Sequence, residues 1–233
     1  MSIPKNRPPL AGPKRGHYFD AAPEAKSKPR TLHLHAGDLA IELQADRGVF
    51  GSRAIDLGTL TLLKEAPLPP PDGDLLDLGC GYGPIAIALA RRSPTAKVWA
   101  VDVNERALQL TRTNAAAAKA PNVAACLPDE VPADVRFAAI YSNPPVRVGK
   151  GPLHELLLRW LPRLQPGAHA FLVVQRNLGA DSLAAWLGAQ GFSVQRIKSK
   201  KGYRVLSVAA GTLKQSEETS ASAPILRRDP AST

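Results

Sequence analysis

The segment D-L-G-C-G-Y-G-P, Asp77 to Pro84, decides the fold of this 233-residue chain. It overlaps the short apolar run Leu75–Leu78, which is typical of a buried strand, and it ends on a proline, which is favoured in the first turn of a helix. Glycine-rich turns between a strand and a helix are typical of doubly wound sheets, where ligands bind beyond the carboxyl ends of the strands. The segment therefore predicts such a sheet, with a ligand site at this turn.

Strand and helix patterns continue on both sides of this segment. Upstream, Leu32 to Ala45 alternates with period two around Gly37-Asp38, which predicts a hairpin. Downstream, the alternation includes a helix expected over Leu153–Leu164 and a strand over Ala170–Gln175, and it closes with two consecutive strands. We therefore expect the α/β class, with a doubly wound, mostly parallel sheet and a C-terminal antiparallel hairpin.

The chain is expected to form one domain between two tails. Residues 1–30 hold six prolines and seven Lys or Arg residues, which is typical of a disordered segment. Residues 212–233 are rich in Ser, Thr, Ala and Glu and predict a flexible tail. The domain then covers residues 31–211, with the hairpin and a helix in 31–65 and the catalytic core in 72–211.

Composition excludes several classes of protein. Cys80 and Cys126 are the only cysteines, which excludes a disulfide scaffold and a four-thiolate zinc site. The five histidines show no ligand spacing, so no metal is expected. No apolar run approaches the roughly 18 residues of a membrane span, and the N-terminus lacks the apolar stretch of a signal peptide. A soluble, cytoplasmic protein is the expectation.

The positive charge is concentrated in the second half of the chain. The formal net charge is +10, and residues 146–211 contribute ten basic and two acidic residues. The stretch Arg196–Arg204 alone holds five positive charges and no acid. A one-sided basic field favours a polyanion such as RNA as partner, whereas the alternatives are solubility and, for Arg196–Arg204, an edge strand protected by lysines.

The glycine turn and the next strand predict a nucleoside cofactor. Glycines 79, 81 and 83 leave room for a ligand to approach the backbone, and Pro84 replaces the last glycine of the dinucleotide fingerprint G-x-G-x-x-G. A cofactor without a diphosphate is therefore favoured. Asp102 ends the second strand, where a carboxylate can accept both hydroxyls of a ribose. The alternative role, capping the next helix, suits Asn104 better.

The segment Y-S-N-P-P-V-R-V-G-K-G, Tyr141 to Gly151, predicts the chemistry. Pro144 and Pro145 fix a rigid turn and have no N–H, so the local acceptors are the side-chain oxygen of Asn143 and the carbonyl of Pro144. Two acceptors held in one direction suit an –NH2 group on a planar ring or amide. They would turn its nitrogen lone pair toward an electrophile without a strong base. The alternative is a purely structural turn.

In this order, D-L-G-C-G-Y-G-P, V-D-V-N and S-N-P-P resemble the class I S-adenosylmethionine-dependent methyltransferases that modify amino nitrogens, which have a Rossmann-like fold. The longer strings N-P-P-V-R-V-G-K-G-P-L-H, G-V-F-G-S-R-A-I-D-L-G-T and G-Y-R-V-L are similar to the 16S ribosomal RNA guanine-N2 methyltransferase family, as a short single-domain member. The resemblance covers about residues 30–210. Better-known members carry a second methyltransferase-like domain, for which 233 residues leave no room.

The resemblance implies roles for individual residues. Asp129 would approach the adenine amino group, and Asp102 would bind the ribose. Asn143, Pro144 and Pro145 would orient the target amine. The residue after N-P-P, an aromatic in most members, is Val146 here, so stacking on the base would fall to Phe50 or Tyr141. Apart from the resemblance, a phosphate-tracking role of the basic stretch Arg196–Arg204 would allow Tyr203 to stack as well. The cofactor would be lined by Asp77, Gly79, Gly81 and Gly83, and the RNA phosphates would contact Arg147 and Lys150.

The sequence thus predicts methyl transfer from S-adenosylmethionine to an exocyclic amine of RNA, with guanine N2 of 16S ribosomal RNA as the leading acceptor and the small ribosomal subunit as partner. Adenine N6 and a protein glutamine amide remain open as acceptors. Two other classes are a nicotinamide-dependent oxidoreductase, which leaves Asn143-Pro144-Pro145 unexplained, and a catalytically silent RNA-binding module.

Overall fold

The computed structural model describes residues 26–146 and 149–210. In that part of the chain, no helix is long and apolar enough to cross a membrane. In chain order the elements are β1 (Arg30–Ala36), β2 (Leu39–Ala45), α1 (Leu57–Glu65), β3 (Asp74–Leu78), α2 (Pro84–Arg92), β4 (Lys97–Val101), α3 (Glu105–Ala117), β5 (Val123–Cys126), β6 (Phe137–Ser142), α4 (Lys150–Trp160), β7 (Leu164–Gln175), α5 (Ala180–Ala189), β8 (Phe192–Lys200) and β9 (Tyr203–Ala210). The predicted tails, apart from residues 26–30, lie outside the described residues.

Seven strands form the central sheet in the order β5-β4-β3-β6-β7-β9-β8. Strands β3 to β7 pair in parallel, and β9 pairs antiparallel with both β7 and β8. The predicted doubly wound sheet with a C-terminal antiparallel hairpin is confirmed. The strand order reverses beside β3, because β4 and β5 extend the sheet on one side and β6 on the other. The loops that follow these strands therefore enclose a crevice at the carboxyl edge.

Each face of the sheet is covered by a separate apolar cluster. Successive side chains of β3 point to opposite faces, so Leu75 joins one cluster while Leu76 and Leu78 join the other. The first cluster is covered by α1, α2, α3 and the β1–β2 hairpin, and the second by α4 and α5. Trp160 of α4 is fully buried in the second cluster. Burial on both faces explains why the parallel strands are short, continuous apolar runs.

The N-terminal hairpin is a separate two-stranded sheet that packs on the core. Its turn is at the predicted position, where Gly37 has a φ of +62°. Asn114 of α3 fixes the hairpin, since its side chain accepts the Gln44 N–H at 2.7 Å and donates to the Gln44 carbonyl at 2.8 Å. The same Nδ2 donates to the Tyr82 carbonyl in the glycine turn. Asn114 thus links the hairpin to the glycine turn at the crevice through hydrogen bonds of one side chain.

Several element boundaries differ from the sequence prediction; helix α4, for example, ends at Trp160 rather than Leu164. Two of the shifted boundaries lie near prolines. Helix α4 begins at Lys150 rather than Leu153, because Pro152 is accommodated in the first turn, where its missing N–H would have no helical partner. Strand β7 begins at Leu164 rather than Ala170, and it passes through Pro166 and Gly167 opposite a register shift in β6. The Pro-Gly pair predicts a loop but forms part of an irregular strand.

Candidate functional site

The predicted cofactor and acceptor residues meet at the carboxyl edge of the sheet. Gly79 follows β3, Asp102 follows β4 and Asn143 follows β6, and these are three adjacent strands. Asn143 lines one cavity between the loops after these strands, and Gly79 and Asp102 line another. Residues far apart in sequence are therefore brought together because parallel strands end at the same edge.

The glycine turn wraps around the end of β4. The N–H groups of Gly79 and Cys80 donate to the Val101 carbonyl at 2.8 and 3.0 Å, and that of Gly81 donates to Asp102. Gly79, Gly81 and Gly83 all have left-handed φ values, of +77°, +58° and +89°. Backbone conformation alone thus accounts for all three glycines, which the sequence analysis attributed to close approach of a ligand.

Gly83 has a packing role besides its conformation. A Cβ at this position would lie 3.0 Å from the Thr111 side chain of α3. A Cβ at Gly81 would meet nothing closer than 3.9 Å, and Gly81 lines a cavity together with Val49 and Asp102. The open side of the turn is therefore at Gly79 and Gly81, and Gly83 faces the helix.

Asp102 braces the turn with both carboxylate oxygens. Oδ2 accepts the Gly81 N–H and Oδ1 accepts the Asn104 N–H, each at 2.9 Å. Burial raises the pKa of Asp102, and the backbone hydrogen bonds oppose that rise. Asn104 caps α3 by accepting the N–H groups of Arg106 and Ala107, as the sequence predicts. Asp102 therefore does not cap α3. Its side chain lines two cavities, one shared with Gly81 and the other with Gly79.

Asp77 is fully buried under the glycine turn. Its Oδ2 accepts the Ala86 N–H at 2.8 Å, whereas Oδ1 has no hydrogen-bond partner among the described residues. Burial, with a further contribution from Asp102, raises the pKa of Asp77 to about 8. An unpaired carboxyl oxygen beside a second buried carboxyl favours a cationic ligand at this turn and disfavours a diphosphate.

This pKa predicts how stability depends on pH. Between the unfolded value of about 3.9 and the folded value of about 8, the native state holds one proton more than the unfolded chain, so stability falls as pH rises. Asp77→Asn keeps an acceptor for Ala86 and cannot titrate. Urea unfolding between about pH 5 and pH 7 should show the wild type losing up to about 1.4 kcal/mol more per pH unit than the variant. Parallel curves would contradict the shifted pKa.

A narrow cleft continues from Asp102 toward the second apolar cluster. Its walls are apolar apart from Asp102, and the backbone of Gly79 forms one end. The flat or bulky side chains that line it are Pro128, Pro145, Leu156 and Trp160. This nucleoside cleft, of about 30 Å³, is too small to enclose a whole nucleoside, but a carboxylate beside apolar walls suits contact with a sugar and with one face of a base.

A larger cavity of about 170 Å³ lies on the other side of the Asn143 turn. Asn143, Pro144, Pro145 and Val146 form one wall of this acceptor pocket. The remaining walls are Phe50, Asp56, Val173, Gln175, Leu178 and Tyr203. Pro145 borders both the nucleoside cleft and the acceptor pocket, so the two spaces adjoin at the N-P-P turn.

The amide of Asn143 is held from one side. Its Nδ2 donates to Asp56 Oδ2 at 2.7 Å and to Thr59 Oγ1 at 3.1 Å. Since both amide protons are directed at these partners, Oδ1 is the atom left to accept from a ligand, and it has no protein donor among the described residues. The Pro144 carbonyl accepts the Val146 N–H at 2.8 Å and keeps its second lone pair. The two predicted acceptors are both present.

Two of the three aromatic residues considered for stacking line the acceptor pocket. Phe50 is 48% exposed and Tyr203 is half-buried, and they come from the loop before α1 and from the start of β9. Tyr141 is buried instead, packs against Phe171 and donates its hydroxyl proton to the Pro67 carbonyl. Tyr141 is therefore part of the core and is not available to a base.

Two further predicted residues, Lys150 and Asp129, are not among the described residues that line the acceptor pocket. Lys150 is exposed and lines a second cavity of about 190 Å³, which shares Val146 and Leu178 with the acceptor pocket. Arg147 lies outside the described residues. Asp129 is exposed and forms an ion pair with Arg159 at 2.6 Å, away from the cleft that its neighbour Pro128 lines. Its contact with an adenine stays a prediction.

The basic β8–β9 hairpin is partly neutralised. Lys198 and Lys200 both pair with Glu65 of α1, and Arg204 pairs with Asp181 of α5. The carboxylates of Glu65 and Asp181 thus offset two of the five positive charges of the hairpin, which leaves a local net charge of +3. The exposed strand β8 forms the edge of the sheet, so the lysines also guard that edge.

The residues that sequence reasoning missed are Asp56, Thr59 and Gln175. Asp56 is recognisable as a helix cap from D-L-G-T, because its side chain accepts the Thr59 N–H, but its contact with Asn143 joins residues 87 positions apart. Over the described residues, no group of His, Cys, Asp and Glu could hold a metal ion.

Comparisons with known proteins agree on one family. The sequence model of the family described as "Methyltransferase small domain" matches residues 40–207. The Bacillus subtilis protein "Uncharacterized protein YbxB" is 32% identical over 193 residues, covering 82% of this chain and 96% of that protein. "Ribosomal RNA small subunit methyltransferase C" of Pseudomonas putida is 33% identical over 200 residues, covering 83% of this chain and 59% of that protein.

Among solved structures, the fold is similar to that of a Thermus thermophilus protein described as a 16S rRNA N2 G1207 methyltransferase in complex with AdoMet and guanosine. The TM-score is 0.64 at 24% identity, over 81% of this chain and 52% of that one. The chain therefore spans little more than half the length of these ribosomal RNA methyltransferases. At this identity the likeness bears on the fold alone.

Proposed function

The chain belongs to the methyltransferase small domain family, a group of class I methyltransferases that use S-adenosylmethionine, and we propose that it methylates an exocyclic amine of an RNA base. The proposed acceptor is guanine N2 of 16S ribosomal RNA. The observation that carries this proposal is the fixed amide of Asn143, whose oxygen is the atom left for a ligand in the acceptor pocket.

The fit of the cofactor is supported by the charges around the glycine turn. S-adenosylmethionine is cationic at sulfur and at its amino group, and these charges would favour the ionised forms of the buried Asp77 and Asp102 carboxyls, whose pKa values burial raises. Asp102 would accept the ribose hydroxyls, and the apolar lining of the cleft, which includes Pro128 and Trp160, would contact the adenine. The backbone of Gly79 and Gly81 would line the remainder.

The acceptor residues would act by positioning. When bound, S-adenosylmethionine would supply an electrophilic methyl group to the amine nitrogen and would leave as S-adenosylhomocysteine. Asn143 Oδ1 and the Pro144 carbonyl would accept the two N–H protons of the amine, which turns the nitrogen lone pair out of the plane of the base. The surplus proton on nitrogen would then pass to solvent. Phe50 and Tyr203 would stack on the base, replacing the aromatic residue that Val146 does not provide.

The charge distribution supports a polyanionic substrate. Residues 146–211 carry a net charge of +8, and Lys150 lies beside the acceptor pocket. The ribosomal RNA methyltransferases that are about a third identical to the chain over the aligned residues support ribosomal RNA as the substrate. The resemblance of the sequence motifs to guanine-N2 methyltransferases supports guanine as the base. These relatives are longer than the chain, so substrate and position both belong to the proposal.

The test is methyl transfer from labelled S-adenosylmethionine to small ribosomal subunits, naked 16S RNA, transfer RNA and ribosomal protein, each beside Asn143→Ala. Label in N2-methylguanosine of 16S RNA, absent with the variant, is the expected result. Label in N6-methyladenosine or in a glutamine side chain would instead identify adenine N6 or a protein amide as the acceptor. Absence of label with all four, despite cofactor binding, would refute the proposed activity.

The phosphate contacts give a separate prediction. Arg147→Ala combined with Lys150→Ala should weaken binding of naked 16S RNA and reduce the slope of log affinity against log salt by about 1 to 2. The matched control is Lys97→Ala with Arg136→Ala, since these residues lie at the amino ends of β4 and β6, on the opposite edge of the sheet. Equal slopes for the two pairs would contradict phosphate contacts at the acceptor pocket.

A further inference from the structure

The first turn of α1 contacts the acceptor turn directly. Asp56, the N-cap of α1, uses one oxygen, Oδ2, to accept both the Thr59 N–H at 3.1 Å and the Asn143 Nδ2 at 2.7 Å. Thr59 is buried, and its Oγ1 lies 3.1 Å from the same Nδ2. A helix of the N-terminal segment thus contributes two polar groups that contact the acceptor turn at the carboxyl end of β6.

These contacts determine which end of the amide faces the pocket. A carboxylate only accepts hydrogen bonds, so it can pair with the NH2 group of Asn143 but not with its oxygen. A flipped amide would bring two oxygens together at 2.7 Å without a proton between them. It would also present an NH2 group to the acceptor pocket, which suits a carbonyl ligand and repels an amine.

We propose that Asp56 and Thr59 are positioning residues that hold the Asn143 amide with its oxygen toward the acceptor, and that they thereby select an N–H donor as the methylated group. The inference rests on the proposed function, because it assigns the acceptor to Asn143. Asp56 and Thr59 do not contact the reacting atoms in this role. They act through the orientation of one side chain.

The same turn of α1 also determines the opposite wall of the pocket. A Cβ on Gly58 would lie 2.8 Å from Asp56 Oδ2 and 2.9 Å from the Tyr203 ring. Gly58→Ala should therefore displace the carboxylate or the ring and lower turnover. Gly188→Ala in α5, where a Cβ would meet nothing within 4 Å, is the matched control and should leave turnover unchanged.

Conservative pairs of variants separate positioning from folding. Thr59→Ser keeps the hydroxyl and Thr59→Val removes it at nearly equal volume. Asp56→Asn keeps one oxygen that can accept from both the Thr59 N–H and Asn143 Nδ2. Asp56→Ser keeps the helix cap, but its side chain is too short to accept from Asn143 as well. We expect kcat to fall roughly 10- to 100-fold in Thr59→Val and Asp56→Ser, with KM for RNA and the cofactor Kd within about threefold of wild type. Thr59→Ser and Asp56→Asn should stay within about threefold of wild-type kcat.

A second measurement does not depend on turnover. In the 15N-labelled full-length protein, the side-chain NH2 signals of Asn143, assigned by their loss in Asn143→Ala, should be shifted by the carboxylate and should move in Asp56→Ser. Unmoved signals, or equal kcat in Thr59→Val and Thr59→Ser, would overturn the positioning role. If wild type transfers no methyl group to any substrate, the proposed function fails while the NMR signals still decide whether Asp56 orients the amide.

Discussion

Asn143→Ala is expected to reduce methyl transfer by about 100- to 1000-fold while the affinity for S-adenosylmethionine stays within about threefold. Asn143 lines the acceptor pocket and is not among the residues of the nucleoside cleft. Alanine removes the oxygen that would accept an amine proton, so the nitrogen lone pair is no longer turned toward the methyl group. Cofactor affinity is measured by calorimetry and turnover by transfer of labelled methyl groups.

Asn122→Ala is the matched control for this variant. The Asn122 side chain donates to the carbonyls of Ser93 and Ala96, before β4 and far from the acceptor pocket. The control should lose some stability and retain turnover when both proteins are assayed below their unfolding transitions. An equal loss of cofactor affinity and of turnover in Asn143→Ala would instead assign Asn143 to the cofactor.

The fold was predictable because its sequence signals are local. The Gly37-Asp38 turn, the proline opening α2 and the short apolar run of β3 each determine their own element without distant partners. Two of the boundaries that shifted involve Pro152 and Pro166, where proline was accommodated in a helix's first turn and in an irregular strand. Proline marks a local constraint, and the surrounding packing decides whether the element ends there.

The site was predictable only in part, because several of its features are tertiary. The sequence places Asn143 and Asp102 at strand ends, and the parallel sheet brings them together. The contact of Asp56 with Asn143 depends on how α1 packs, and so does the pairing of two hairpin lysines with Glu65. Neither leaves a pattern in the sequence. Because Glu65 pairs with two of these lysines, the positive charge that the hairpin presents to RNA is smaller than its count of Lys and Arg residues.

The second large effect is expected for Asp102→Asn, which should lower cofactor affinity by about 100-fold and the free energy of unfolding by about 1 to 3 kcal/mol. Asp102 satisfies two backbone donors with two separate oxygens, at Gly81 and at Asn104. Asparagine has a single oxygen, so its NH2 group would face one of these N–H groups. The glycine turn would then shift, and an acceptor for the ribose hydroxyls would be lost.

Asp74→Asn separates this effect from a general loss of acidic charge. Asp74 lies at the opposite end of β3, and among the described residues its Oδ1 accepts the Trp99 indole N–H alone, a bond that asparagine can keep. Calorimetry with S-adenosylmethionine and urea unfolding, run on both variants, should show a weakened affinity for Asp102→Asn alone. If Asp102→Asn loses stability but binds the cofactor as tightly as the control, Asp102 serves the glycine turn only, and the ribose must be held by the backbone of Gly79 and Gly81 instead.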